Sequence, residues 1–307
     1  MKPDDSSLDP ADLIVVEGRA KHFLDRADAW GVYPTPVDTL MEAAKLAVAP
    51  KNAFDPAVFL AFVKQKTQKL ADTLKRALGK VLGLYDATDS IVHIDYDVGV
   101  SKQTFLKLHE AGHHEMPTHK KVFKLFQDCD QTLAPEIADR FEREANNFAR
   151  FVLFQGNGFR DAAADLPMGV RVPRDLARKF GSSIYAAARE YARTHHASCV
   201  VYVLNPVEFG VNGGFRAEVR RIEPSPSFRR DFGCPTDLEI TNSHALASLI
   251  PIGRRMTAPR DFVFADRNGK RHVCIGEAFD TTYNVLLLIY PQAALPTSLL
   301  FPAKPNW

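Results

Sequence analysis

The sequence predicts an α+β fold: a mainly helical first part with a small sheet, a helical linker, and a separate α/β domain at the end. Two observations carry that prediction. Apolar residues recur at helical spacing through the first part, broken by two short β-rich runs, whereas from Ser198 onward the apolar period drops to two. Between these textures lie a Pro-led helix, a glycine and a second helix, which sets the boundaries at 1–165, 166–196 and 197–307. A chain of 307 residues has room for that division.

Each element follows from local signals. Residues 1–10 are polar and read as an irregular start. Leu13, Val16, Ala20, Phe23, Leu24 and Ala27 form the apolar stripe of a helix over 10–30. Pro36 opens a second helix, with Leu40, Ala43, Ala44 and Ala47 on one face. A third is predicted over 55–78. The period then changes, and 81–85 and 91–94 read as two strands joined by an Asp-Ala-Thr-Asp turn. The next helix, capped by Ser101, carries Phe105, Leu108 and Gly112 at helical spacing until Pro117 stops it. Pro135 opens a helix running past Phe154, with Phe141, Ala145, Phe148 and Val152 as its core stripe and Glu142, Ala145, Asn146 and Ala149 beside them.

Composition narrows the function classes. The chain is 46% hydrophobic and 25% charged, as globular proteins are, and a net charge of +2 demands neither nucleic acid nor an anionic membrane. No run is apolar enough for a membrane span, and the acidic start lacks the core of a signal peptide. Four scattered cysteines without a C-x-x-C pair fit a reducing, cytoplasmic location.

The chemistry concentrates at His109-Glu110-Ala111-Gly112-His113, an H-E-x-x-H match. On a helix, two histidines four apart project from one face and can share one Zn²⁺. Glu110 then stands within reach of the metal's water as general acid/base. A third ligand is expected from the next helix, where Glu142 and Glu144 are rivals about 200° apart at roughly 100° per residue, so only one faces the metal. Small Ala145 and Ala149 flank Glu142, which favours it, and Asn146 one turn on is placed to orient a histidine ligand through its free N–H. His114, His119, Tyr185 and Arg189 are candidates for stabilising the developing oxyanion. Cys129, between the two ligand-bearing segments, is a candidate inhibitory fourth ligand, against the ordinary reading of a buried inert thiol.

Three segments resemble the ImmA/IrrE metallopeptidases: Thr-Phe-Leu-Lys-Leu-His-Glu-Ala-Gly-His over 104–113, Glu-Arg-Glu-Ala-Asn-Asn-Phe-Ala-Arg-Phe-Val-Leu over 142–153, and Leu-Ala-Arg-Lys-Phe-Gly-Ser-Ser-Ile-Tyr-Ala-Ala-Ala-Arg over 176–189. Ala111 departs from the family's large aliphatic residue, and Phe154-Gln155 from its Met-Pro. The resemblance implies a zincin-type peptidase domain with His109, His113 and Glu142 on zinc and Glu110 catalytic. It further implies a helix-turn-helix repressor as substrate, release of stress or DNA-damage genes on its cleavage, and a GAF-like sensor domain at the C-terminus.

The linker around Leu176–Arg189 is itself similar to a helix-turn-helix, though its second helix offers alanines where base readers would sit; a packed linker is the alternative. In the last domain, strands are predicted over 199–204, 215–222, 261–265, 272–279 and 284–290, a helix over 244–250, and a hairpin turn at Asp266-Arg267-Asn268-Gly269. Arg216, Arg220, Arg221, Arg229 and Arg230, interleaved with Phe215, Phe228 and Phe232, suggest a surface for single-stranded DNA; a solvated sheet face is the bland reading. The rival function is a non-catalytic ligand- or nucleic-acid-sensing regulator with a structural zinc.

Overall fold

A computed structural model describes residues 6–50, 83–87, 89–127, 134–210 and 213–293. The helix expected over 55–78 and Cys129 lie outside them. The chain forms two compact units, one of residues 1–159 with 177–183, the other of 160–176 with 184–307. Residues 166–196 thus contribute to both. Helices and strands mix in the α+β manner expected.

The first unit begins with α1 (Pro10–Arg26) and α2 (Val37–Ala43). A three-stranded sheet follows, from β1 (Ala47–Val48), β2 (Gly83–Asp86) and β3 (Ile91–Ile94) in the order β1-β3-β2. The hairpin of β2 and β3 is antiparallel, as its turn residues predict. Ala47, expected on a helix face, instead pairs with Ile91 in a parallel ladder, because α2 stops at Ala43. Two residues are too short a strand to announce themselves by periodicity.

Then come α3 (Val100–Glu115), α4 (Pro117–Gln127) and α5 (Pro135–Phe154). Gly99, not Ser101, stands at the α3 N-cap, and no side chain caps it. Pro117 both ends α3 and opens α4. The sequence stripe of α5 is its buried face: Ala145, Phe148, Ala149 and Val152 are fully buried. Phe148 meets Phe23 of α1 edge-on, ring centroids 5.3 Å apart.

The approach of α3 to α5 decides where the functional side chains sit. A Cβ added at Gly112 would lie 3.2 Å from the Ala145 Cα and 3.2 Å from the Phe148 ring. Gly112 and Ala145 are therefore small because two helix backbones meet there.

Helices α6 (Gly158–Ala164), α7 (Arg171–Phe180) and α8 (Ile184–Thr194) lead into the second unit. Its strands are β4 (Val200–Leu204), β5 (Glu208–Phe209), β6 (Phe215–Pro224), β7 (Glu239–Thr241), β8 (Met256–Ala265), β9 (Arg271–Asp280) and β10 (Val285–Pro291). They form one sheet ordered β5-β6-β4-β10-β9-β8, with β7 also on β6 and every pairing antiparallel. Alternation puts Val200, Tyr202, Leu204, Val285, Leu287 and Ile289 into one core with Phe228 and Phe232 of α9 (Pro226–Phe232). The expected helix over 244–250 is a single 3₁₀ turn, Ala247–Leu249. Helix α8 packs against β4 and β6. It buries Ala187, Ala188, Tyr191 and Ala192 and ties Arg189 and Arg193 to Glu223, at 3.2 and 2.8 Å. The alanines that would face bases in a recognition helix are spent on this packing. No helix among the described residues is long and apolar enough to cross a membrane.

Gly112→Ala tests the close approach. Helix propensity alone would stabilise alanine by about 1 kcal/mol. Forcing the backbones apart costs about 1–3 kcal/mol. We expect a net fall in melting temperature; a rise would show that the α3–α5 contact does not constrain this position.

Candidate metal centre

Helix α3 presents His109 and His113 one turn apart, both buried, and α5 brings Glu142 against them. The two Nε2 atoms are 3.2 Å apart; Glu142 Oε2 lies 3.2 Å from His109 Nε2, and its Oε1 3.6 Å from His113 Nε2. Donor atoms about 2.0–2.1 Å from a tetrahedral zinc stand about 3.3 Å from one another. The three side chains have that spacing and the donor chemistry of a two-His, one-carboxylate site, so the group could hold a metal ion. Glu142 is 42% exposed, which leaves the cluster open to solvent on its side.

The electrostatics agree. Burial pulls the His113 pKa down to about 4, so its imidazole is neutral at pH 7. Burial would raise the Glu142 pKa, but its hydrogen bonds to both histidines outweigh that and hold the carboxyl well below the usual range. Burial also lowers His109, yet Glu142 and Glu110 more than compensate, and His109 holds a proton more firmly than usual. That proton sits where a cation belongs, and metal binding would displace it.

The surrounding contacts orient the ligands. His109 Nδ1 is 3.1 Å from Asn146 Oδ1, the partner expected of a residue one turn beyond Glu142. His113 Nδ1 faces His119 Nδ1 at 3.1 Å, and His119 Nε2 lies 2.7 Å from Glu144 Oε2. Glu144, the rival carboxylate, thus points to His119 and also accepts from Arg140 Nε at 2.8 Å. His119 lies fully buried behind His113, away from the metal-facing Nε2 edge, and is not placed as an oxyanion donor. The sequence offered one hint of this arrangement: Arg140 and Glu144 are four apart on a helix.

His114 is bonded to the Tyr85 hydroxyl at 2.7 Å, and Tyr185 and Arg189 belong to the second unit. Glu110 is buried against the sheet, and its carboxylate accepts the Tyr85 backbone N–H of β2, which among the described residues ends the sheet. Desolvation raises its pKa to about 7, helped by the Glu142 charge.

The arginines are divided between a strand and a helix. Arg216, Arg220 and Arg221 lie on β6, but the register slips so that Val203 pairs with Arg221 and Leu204 with Val219. Phe215, Ala217, Val219 and Ile222 turn to the core, so Arg216, Arg220 and Arg221 lie together on the other face of β6, the last two at the bulge. Arg216 is paired with Glu239, and Arg220 lies over the Tyr185 ring at 5.0 Å. Arg229 and Arg230 sit on α9, which packs on the opposite face of the sheet from α8, and Arg230 pairs with Asp231.

No protein-family profile and no curated protein matches the chain. A solved structure described as a Mycobacterium tuberculosis transcriptional regulator is similar to it, with 11% identity, a TM-score of 0.49, and coverage of 90% of this chain and 75% of that one. A likeness that weak leaves family and activity to be argued from the residues.

Glu110 supplies a pH test in the metal-free chain. Between about pH 4.5 and 7 the folded state keeps a proton that the unfolded state has lost. Above pH 7 the buried carboxylate is ionised, at a cost on the order of 3 kcal/mol. With chelator present, Glu110→Gln should match wild type in melting temperature near pH 5 and exceed it increasingly towards pH 8. Parallel pH profiles for the two proteins would refute the assignment.

Proposed function

We propose that this chain is a zinc-dependent endopeptidase. One observation carries the reading: two imidazole nitrogens and a carboxylate oxygen converge at tetrahedral spacing beside a buried carboxyl one residue along the same helix. Zinc held by His109, His113 and Glu142 would polarise a carbonyl and acidify water towards about pH 7. Glu110, with a pKa near 7 before metal binds, is suited to take a proton from an attacking water and return it to the leaving nitrogen. Strand β2, which ends the sheet among the described residues and whose Tyr85 N–H holds Glu110, runs beside α3, and an extended peptide would lie along it at its remaining backbone groups.

The rival reading, a regulator with a structural zinc, calls for a closed shell of four protein ligands. Among the described residues the metal-ligand group has three members, which favours the catalytic type. Cys129, the suggested inhibitory fourth ligand, lies outside those residues.

Substrate and regulation come from the resemblance to the ImmA/IrrE peptidases. It assigns a helix-turn-helix repressor as substrate and a GAF-like sensor role to the second unit, whose single antiparallel sheet is compatible with that label. Single-stranded DNA is the proposed activator, with Arg216, Arg220, Arg221, Arg229 and Arg230 as the residues to examine.

Incubating the full chain with zinc and a genomically neighbouring helix-turn-helix repressor tests the proposal. Wild type should cleave, with more product when single-stranded DNA is added and none with chelator. Glu110→Gln should retain zinc by elemental analysis and lose at least about 10²-fold in rate. His109→Ala should lose the metal. Normal cleavage by Glu110→Gln, or full zinc content in His109→Ala, would sink the reading.

A further inference from the structure

The group behind His113 does more than fill space. His119 is fully buried between two partners, with Nδ1 at 3.1 Å from His113 Nδ1 and Nε2 at 2.7 Å from Glu144 Oε2. Its ring stacks on Phe141, centroids 3.9 Å apart and planes at 26°. Arg140 Nε reaches the other oxygen of Glu144 at 2.8 Å, and Arg140 Nη2 reaches Asp12 Oδ1 at 3.0 Å. Side chains of α1, α3, α4 and α5 therefore form one line ending on a metal-facing imidazole.

With His119 neutral, hydrogen-bond direction along this line is fixed. An ionised carboxylate only accepts, so His119 must present Nε2–H to Glu144. A neutral His119 then has a lone pair on Nδ1. That lone pair can face His113 Nδ1 at bonding distance only if His113 carries its proton there. With its proton on Nδ1, His113 would turn the acceptor Nε2 towards the position shared with His109 and Glu142. The direction is set from Arg140 and Glu144, two side chains away from the metal position.

The geometry points to His119 and Glu144 as positioning residues that fix the tautomer and ring orientation of His113. This inference rests on the metal-centre reading above. Glu144 is then the distal anchor of a ligand rather than a competitor of Glu142. His109 is oriented by a shorter route, its Nδ1 meeting Asn146 Oδ1. Partners of this kind typically govern metal affinity by about 10–100-fold.

Two measurements on the full chain test it. In the zinc-loaded wild type, nitrogen-15 NMR of the imidazoles should show His113 protonated at Nδ1 and His119 at Nε2; a His119 protonated at Nδ1 overturns the inference. His119→Phe keeps a ring against Phe141 and removes both hydrogen bonds. Competition with a chromophoric chelator should show zinc bound about 10–100-fold more weakly, while the metal-free melting temperature stays within a few degrees of wild type. If wild type binds zinc and His119→Phe binds it as tightly, the relay is refuted and the metal centre stands. If wild type binds no zinc, both fail. Should His119→Phe not fold, the tautomers of wild type decide.

Discussion

Everything at the metal centre depends on how closely two helices can approach. Glu142 reaches His109 and His113 because α3 and α5 touch backbone to side chain at Gly112, Ala145 and Phe148. With a larger residue at Gly112 the carboxylate would move away from a triangle whose edges match a single ion. The close contact also excludes water from the far side of the histidines. There His119 and Asn146 supply the hydrogen bonds that water would otherwise make. Helix packing and ligand geometry are here one constraint.

A second consequence of that packing is electrostatic. Buried Glu110 and His113 titrate far from their usual ranges, in opposite directions, because burial disfavours charge on both. Glu142 escapes the same penalty because two imidazoles surround its oxygens. A neutral imidazole and an ionised carboxylate are the forms that bind a metal, so His113 and Glu142 are ready for one, whereas His109 gives up a proton when it arrives.

Much of this was legible in the sequence, for physical reasons. The 20-residue α5 has strong helical periodicity, so the side of Glu142 and the opposed direction of Glu144 could be derived from the 100° step. The small residues Ala145 and Ala149 marked the side that meets another helix. What stayed hidden was non-local. The partner of Glu144 is a histidine on α4, 25 residues earlier, and no periodicity joins them. Strand β1 has two residues and is defined only by its ladder with β3. The bulge at Arg220 and Arg221 breaks an alternation that sequence assumes to be continuous. In the last unit the strands were readable from period two, but their order in the sheet is a property of long-range pairing.

The central claim is that His109, His113 and Glu142 hold one metal ion with a position left for water or substrate. Zinc K-edge X-ray absorption of the stoichiometrically loaded chain tests it directly. The account predicts one zinc per chain with scattering from two imidazoles, nitrogen near 2.0–2.1 Å, and oxygen in the remaining positions. A three-imidazole shell, which would bring His119 in place of Glu142, or loss of the zinc on desalting, would contradict it.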